Sequence, residues 1–188
     1  MHIAFIFENS KKSGGAYYQT LNYWNDINKI FKKRNFFSIH TNKKENLKII
    51  DHKKKYFFYY NFLDRIIIKL SIFFFPRFIF RLIGLKTSFE KSLLNKNVDF
   101  IIFPAPSDLQ YSISKIKFVS TIFDLCHLEY KNFPEISKKE FQNREKYINY
   151  VTAKVEALIT NSDILKKKIS KRYNHTKNKI FTIPFIPI

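Results

Sequence analysis

The chain has 188 residues, 45% of them apolar and 18% aromatic, which suits one domain with a sizeable core and excludes a disordered, collagen-like or disulfide-scaffold chain. Lys and Arg number 34 against 15 Asp and Glu, a net charge of +19 that attracts phosphates and anionic headgroups, although the Lys, Asn, Ile and Phe bias of an AT-rich coding sequence with only 3 Gly yields such a charge equally well. The single Cys126 excludes an internal disulfide, no Cys/His spacing resembles a metal site, and no signal-peptide pattern opens the chain, so a cytoplasmic location is expected.

His2 to Phe7 is a short, nearly continuous apolar run, the pattern of a central parallel strand. A polar loop over Asn9 to Gly15 follows. Leu21, Trp24, Ile27 and Phe31 then recur at steps of three and four, the spacing of one helical face, with Lys32, Lys33 and Arg34 near its end. Phe36 to Thr41 reads as a second strand, and the polar, lysine-rich Asn42 to Lys55 as loop. Tyr56 to Leu85 is rich in Phe, Ile and Leu, but Asp64, Arg65, Lys69, Arg77 and Arg81 interrupt it. Its apolar runs fall short of the ~18 to 20 residues that cross a bilayer, and Pro76 divides it into two short amphipathic helices. Such helices either cover a sheet face, the commoner arrangement, or lie in a membrane plane with basic residues at the headgroups.

Ser88 is placed to cap a helix through Leu94, and Val98 to Phe103 is a buried strand ending in the turn Pro104, Ala105, Pro106. Ile116 to Phe123 is another strand. Ser137 and Glu140 form a capping-box pattern before a long helix with Phe141, Ile148, Val151 and Val155 on its apolar side. Ala157 to Thr160 is a short strand, Ser162 caps a basic helix carrying Leu165, Ile169 and Tyr173, and Lys179 to Ile183 is the last strand. Strands alternating with helices, without hairpin signals, predict a Rossmann-like, doubly wound parallel α/β sheet over residues 1 to 183. Residues 184 to 188, Pro184 to Ile188, read as the start of an interdomain linker.

Ligands of such sheets bind at the carboxyl ends of the strands, so the loops after Phe7, Phe103 and Phe123 form the expected site. Gly14 and Gly15 precede a helix whose N-terminal amides suit an anion, though neither the dinucleotide nor the P-loop pattern is complete and such a pair more often makes only a turn. In the second loop Pro104 and Ser107 are substrate-binding candidates. In the third, Asp124, His127 and Glu129 fall within six residues, and a carboxylate with an imidazole there suits polyol binding or acid and base work. The alternative is a helix cap beside a satisfied histidine. No G-x-S-x-G is present and Cys126 has no evident activator, so nothing points to a hydrolase; the missing dinucleotide fingerprint disfavours a dehydrogenase.

The run F-D-L-C-H-L-E-Y-K-N-F-P-E-I-S-K-K-E-F from Phe123, then R-E, A-L-I-T-N-S and K-I-F-T-I-P-F-I-P, resembles the second half of the N-terminal domain of bacterial family 4 glycosyltransferases. It is similar to the mannosyltransferase-like subgroup in which D-L-x-H-L precedes a Pro-Glu-Phe-type element. The opening strand, glycine pair and helix match as well, as does Arg81 to Phe103 with its V-D-F-I-I-F; the likeness is weakest from Asn42 to Phe80. The resemblance implies the N-terminal, acceptor-side half of a GT-B fold in a retaining enzyme. Such enzymes need no metal and move a sugar from a nucleotide-sugar donor, GDP-mannose in the subgroup, to a polysaccharide or lipid-linked acceptor of the cell envelope at the inner face of the cytoplasmic membrane. It places Gly14 and Gly15 near the donor phosphates and sets Asp124 and His127, the catalytic candidates, against the donor sugar or the acceptor hydroxyl; Pro104, Ser107 and Glu129 are the remaining substrate-binding candidates. Many relatives carry His before the Asp-Leu pair, where this chain has Phe123.

The resemblance also leaves the C-terminal nucleotide-sugar domain beyond Ile188, which predicts a chain inactive alone and completed by a C-terminal half. The competing expectation is a non-catalytic basic module that binds a membrane surface or nucleic acid. Nucleic acid is disfavoured, since no recognition-helix motif is present and the lysines are spread along the chain.

Overall fold

The structure, a computed structural model, describes residues 1–31, 37–50, 53–59, 61–73, 86–129, 136–173 and 179–185. Two compact units divide the chain, Met1–Phe118 and Val119–Phe185.

The first unit runs β1 (Ile3–Ile6), a 3-10 turn (Lys11–Ser13), α1 (Gly15–Phe31), β2 (Phe37–Thr41), α2 (Lys44–Ile49), β3 (Lys55–Phe57), α3 (Phe62–Phe73), α4 (Ser88–Leu94), β4 (Phe100–Ile102) and a second 3-10 turn (Asp108–Ser112). Its strands lie in the order β3-β2-β1-β4 and pair in parallel, with Ile3 opposite both Phe37 and Phe100. The chain thus winds outward from β1 to β3 and returns on the other side of β1 with β4. The winding reverses between β1 and β4, and that crevice is where sheets of this kind admit ligands.

Every residue of β1 and β2 is buried, as expected of strands covered on both faces. Trp24 of α1 packs its ring 5.7 Å from Phe5 and 5.9 Å from Phe37, and Tyr17 lies 5.6 Å from Phe7. Fully burying each such side chain contributes about 1.5–3 kcal/mol. Tyr17, Thr20, Tyr23 and Trp24 form the inward stripe of α1, so Leu21 and Ile27, expected at its centre, are only half-buried.

Two expectations for this unit are corrected. Asn42 to Lys55 is not a loop, because it contains α2 and the first residue of β3. Its anchor is an amide: the fully buried Asn46 donates from Nδ2 to the carbonyls of Phe7 (3.1 Å) and Asn9 (3.0 Å), a tie that no apolar periodicity announces. Thr87, not Ser88, caps α4, its hydroxyl accepting the Glu90 amide at 3.1 Å. Ser88 is occupied by Asp64, to which it donates its amide (2.7 Å) and its hydroxyl. Lys32, Lys33, Arg34 and Phe36 lie outside the described residues, as do Pro76 and the second helix of the pair expected before Leu85.

The second unit contains most of β5 (Lys117–Ile122), then α5 (Cys126–Glu129), α6 (Lys138–Lys154), β6 (Ala157–Thr160), α7 (Asp163–Arg172) and β7 (Ile180–Thr182), with β5-β6-β7 parallel. Ser137 caps α6 by accepting the Glu140 amide, and Ser162 caps α7 by accepting that of Leu165. Ile148, Val151 and Val155 are buried on one side of α6, and Leu165, Ile169 and Tyr173 along α7. Phe185 sets its ring 5.6 Å from Phe123; residues 186–188 of the expected linker lie outside the described residues. Among the described residues, no helix is long and apolar enough to cross a membrane.

Candidate functional site

In the first unit the loop after β1 is fixed from three sides. Asn46 holds the carbonyls on either side of Glu8, Phe7 donates its amide to His40 (2.8 Å), and Asn9 donates to the Thr20 hydroxyl of α1 (3.1 Å). Glu8, half-buried, accepts a hydrogen bond from Ser107, whose oxygen in turn accepts the Leu109 amide (3.0 Å) and caps the second 3-10 turn. Since Glu8 follows β1 and Ser107 follows β4, the pair spans the crevice where the winding reverses. Ser107 was expected from sequence; Glu8 was not, because a single carboxylate after a strand carries no signal until its partner is known. Pro104, also expected, is buried.

Gly14 has φ +57° and ψ −128°, a conformation that side-chain-bearing residues avoid, and turns the chain into α1. A Cβ at either Gly14 or Gly15 would meet nothing within 4 Å. The first turn of α1 contains no acid, so the positive end of a 17-residue helix faces that open space.

In the second unit Asp124 stands two residues before α5. Asp124 Oδ1 accepts the Cys126 amide (3.0 Å) and pairs with Arg144 Nη1 (3.4 Å). His127 is 1% exposed and places Nε2 2.9 Å from Glu145 Oε1, with Phe141 edge-on at 5.4 Å. Its Nδ1 is buried without a partner among the described residues. Glu145 also accepts from the Tyr173 hydroxyl (3.0 Å) and from Arg172 Nη2 (2.7 Å). Burial opposes the charge on Glu145, but hydrogen bonds from Arg172, His127 and Tyr173 outweigh it and hold its carboxyl below the usual range. Burial pushes the Tyr173 phenol up to about 12, against the pull of Arg172 and with help from Glu145.

Asp124 and His127 are therefore held by consecutive residues of α6, Arg144 and Glu145, the R-E pair of the sequence. Glu129 pairs with Lys168 of α7 at 2.5 Å, an exposed contact of little energetic weight. Asn161, after β6, donates to the Phe123 carbonyl at 3.0 Å and steadies the start of the loop. Burial, followed by the nearby Asp124, raises the Cys126 thiol, which disfavours a thiolate nucleophile. Among the described residues, no three His, Cys, Asp or Glu side chains are grouped as a metal would require.

No protein-family model matches the sequence, and no curated protein matches it. Solved GT-B structures do match over nearly the whole chain. Anabaena Alr3699/HepE, in complex with UDP-glucose, superposes with a TM-score of 0.60 at 15% identity, over 98% of this chain and 43% of that one. UDP-GlcNAc 2-epimerase from Methanocaldococcus jannaschii gives 0.53 at 15% identity, covering 97% and 45%. Arabidopsis thaliana UGT89C1, complexed with UDP-L-rhamnose, gives 0.51 at 14% identity, covering 99% and 52%. At such identities the likeness shows the fold, α/β and Rossmann-like. This chain spans about half the length of these proteins or less.

Proposed function

We propose that this chain is the N-terminal, acceptor-binding half of a retaining GT-B glycosyltransferase of the family 4 type. In this reading it transfers a sugar from a nucleoside-diphosphate donor to a polysaccharide or lipid-linked acceptor, and is inactive without a donor-side domain. The observation that carries the reading is the fold match, over almost all of this chain and about half of each partner, to proteins solved with UDP-sugars. The D-L-x-H-L segment at the carboxyl end of β5 supports it.

In this reading the diphosphate of the donor approaches the open backbone at Gly14 and Gly15, where helix amides stabilise the charge that grows on the leaving group. The Glu8 and Ser107 pair, at the winding reversal, receives hydroxyls of the acceptor, since a carboxylate beside a hydroxyl suits a sugar diol and repels a phosphate. Asp124, exposed and held by Arg144, is the carboxylate for the acceptor hydroxyl or the transferred sugar. His127, buried with its Nε2 engaged by Glu145, positions the loop that carries Asp124. Half a cleft cannot orient a donor, and orientation supplies a large part of the rate.

The test is sugar transfer from UDP-glucose, UDP-N-acetylglucosamine and GDP-mannose to lipid extract, with the chain alone and with a GT-B donor-side domain joined after Ile188. The expected result is no transfer alone and transfer from one donor when joined. Transfer by the chain alone would overturn its dependence on a second half, and failure of every donor with the joined protein would overturn the transferase reading.

A further inference from the structure

Helix α3 is built inside out. Its only acid, Asp64, is 2% exposed and fully engaged: it forms a reciprocal capping pair with Asn61 (2.7 and 3.2 Å) and accepts both the amide and the hydroxyl of Ser88. Ile68, one turn on, is buried beside it on the inward arc. On the outward arc, Phe62 is 76% exposed and Leu63 65%, with Ile66 also exposed. Positions 62, 63 and 66 are helical neighbours at steps of three and four, so these side chains make one apolar stripe. Arg65 and Lys69, both exposed, run along the edge of that stripe, and Tyr59 stands exposed just before the helix. An ordinary surface helix turns its apolar stripe inward and its charges outward.

We propose that this face of α3 docks in the plane of an anionic lipid bilayer, with Phe62, Leu63 and Ile66 in the acyl boundary and Arg65 and Lys69 at the headgroup phosphates. The inference does not depend on the sugar-transfer reading. Charge decides between occupants. From Lys53 to Lys69 the sequence has five basic residues and one acid, and that acid is the buried Asp64. A second copy of this chain would bring another net +19 against the same face. Four partly exposed side chains offer on the order of 400 Å², about half of what each partner of a stable protein interface contributes. A bilayer needs no such area, because insertion of a short apolar stripe and attraction to anionic lipid act together. With 12 residues, α3 is about 18 Å long, which suits lying in the interface and not crossing it.

The experiment is co-sedimentation of the full chain with vesicles of equal phosphatidylglycerol and phosphatidylcholine, and with phosphatidylcholine alone. The variants are the triple change Phe62→Ser, Leu63→Ser, Ile66→Ser and the double change Arg65→Gln, Lys69→Gln, each checked for an unchanged circular dichroism melt. Expected is binding to the anionic vesicles that falls roughly tenfold or more in each variant, with little binding to phosphatidylcholine. Three results would overturn the proposal: no binding by the native chain, binding that both folded variants retain, or a dimer in sedimentation velocity that the triple change abolishes. If the triple variant fails to melt as the native chain does, Leu63→Gln alone replaces it and is read in the same way.

Discussion

Nε2 of His127 lies 2.9 Å from Oε1 of Glu145, eighteen residues further along the chain, and the ring is 1% exposed. The contact joins the short helix after β5 to the middle of α6. Through Tyr173 and Arg172 it continues to the end of α7, so one carboxylate fastens three elements of the second unit.

Replacement Glu145→Gln should therefore cost about 2 kcal/mol of stability, since the contacts with Arg172 and His127 both lose the carboxylate charge. The loss should also depend on pH in a defined sense. Glu145 has a depressed pKa in the folded chain, so its contribution is full above the ordinary glutamate range and disappears as pH falls through its folded value. Urea unfolding of both proteins between neutral and acid pH checks this; equal midpoints at neutral pH would remove Glu145 as the clamp.

Asp124 and His127 should separate in mutation. Asp124 is half-exposed, so Asp124→Asn in the joined protein should lower turnover roughly tenfold to several thousandfold with an unchanged melting temperature. His127→Ala should lower turnover and melting temperature together, because it also empties a buried position. Turnover close to native in Asp124→Asn would take that residue out of the site.

The two glycines should respond in opposite ways. Gly14→Ala places a side chain at φ +57° and should cost about 1 to 2 kcal/mol. Gly15→Ala meets nothing within 4 Å, so it should leave stability unchanged or slightly higher while weakening the joined protein's affinity for its nucleotide sugar. Calorimetric titration with UDP-glucose and GDP-mannose measures the second effect; full affinity in Gly15→Ala would place the diphosphate elsewhere.

Asn46→Ala should cost about 2 kcal/mol or more by leaving the Phe7 and Asn9 carbonyls unpaired. Hydrogen exchange at the Phe7 amide, which donates to His40, should accelerate as the loop loosens. Unchanged protection there would show that the loop is held without Asn46.

His40 gives a second pH dependence. Burial, with Lys96 and His2 adding like charge, pulls its pKa from 6.5 to about 3. Between those values the unfolded chain takes up a proton that the folded chain refuses, so stability falls as pH drops from 6.5 toward 3. Near pH 5 this amounts to roughly 2 kcal/mol. His40→Gln should flatten that part of the urea midpoint against pH; an equal slope in the variant would assign the acid sensitivity to other groups.

The alternation of buried strands and amphipathic helices was legible because burial on both sheet faces requires continuous apolar runs, as in β1 and β2, and because a cap such as Ser137 or Ser162 acts within its own helical turn. Those are local rules, and sequence alone determined them, together with the glycine pair, the D-L-x-H-L segment and the net charge. What the tertiary structure decided depends on groups far apart in the chain: Asn46 making a helix of a lysine-rich stretch, Glu8 meeting Ser107 across the winding reversal, and Glu145 engaging a buried His127. It also fixed which side of α3 faces inward, because Asp64 found Ser88 twenty-four residues away and shares the inward arc with Ile68. A polar side chain has no periodic signature; where it belongs is settled only when the fold supplies or withholds its partner.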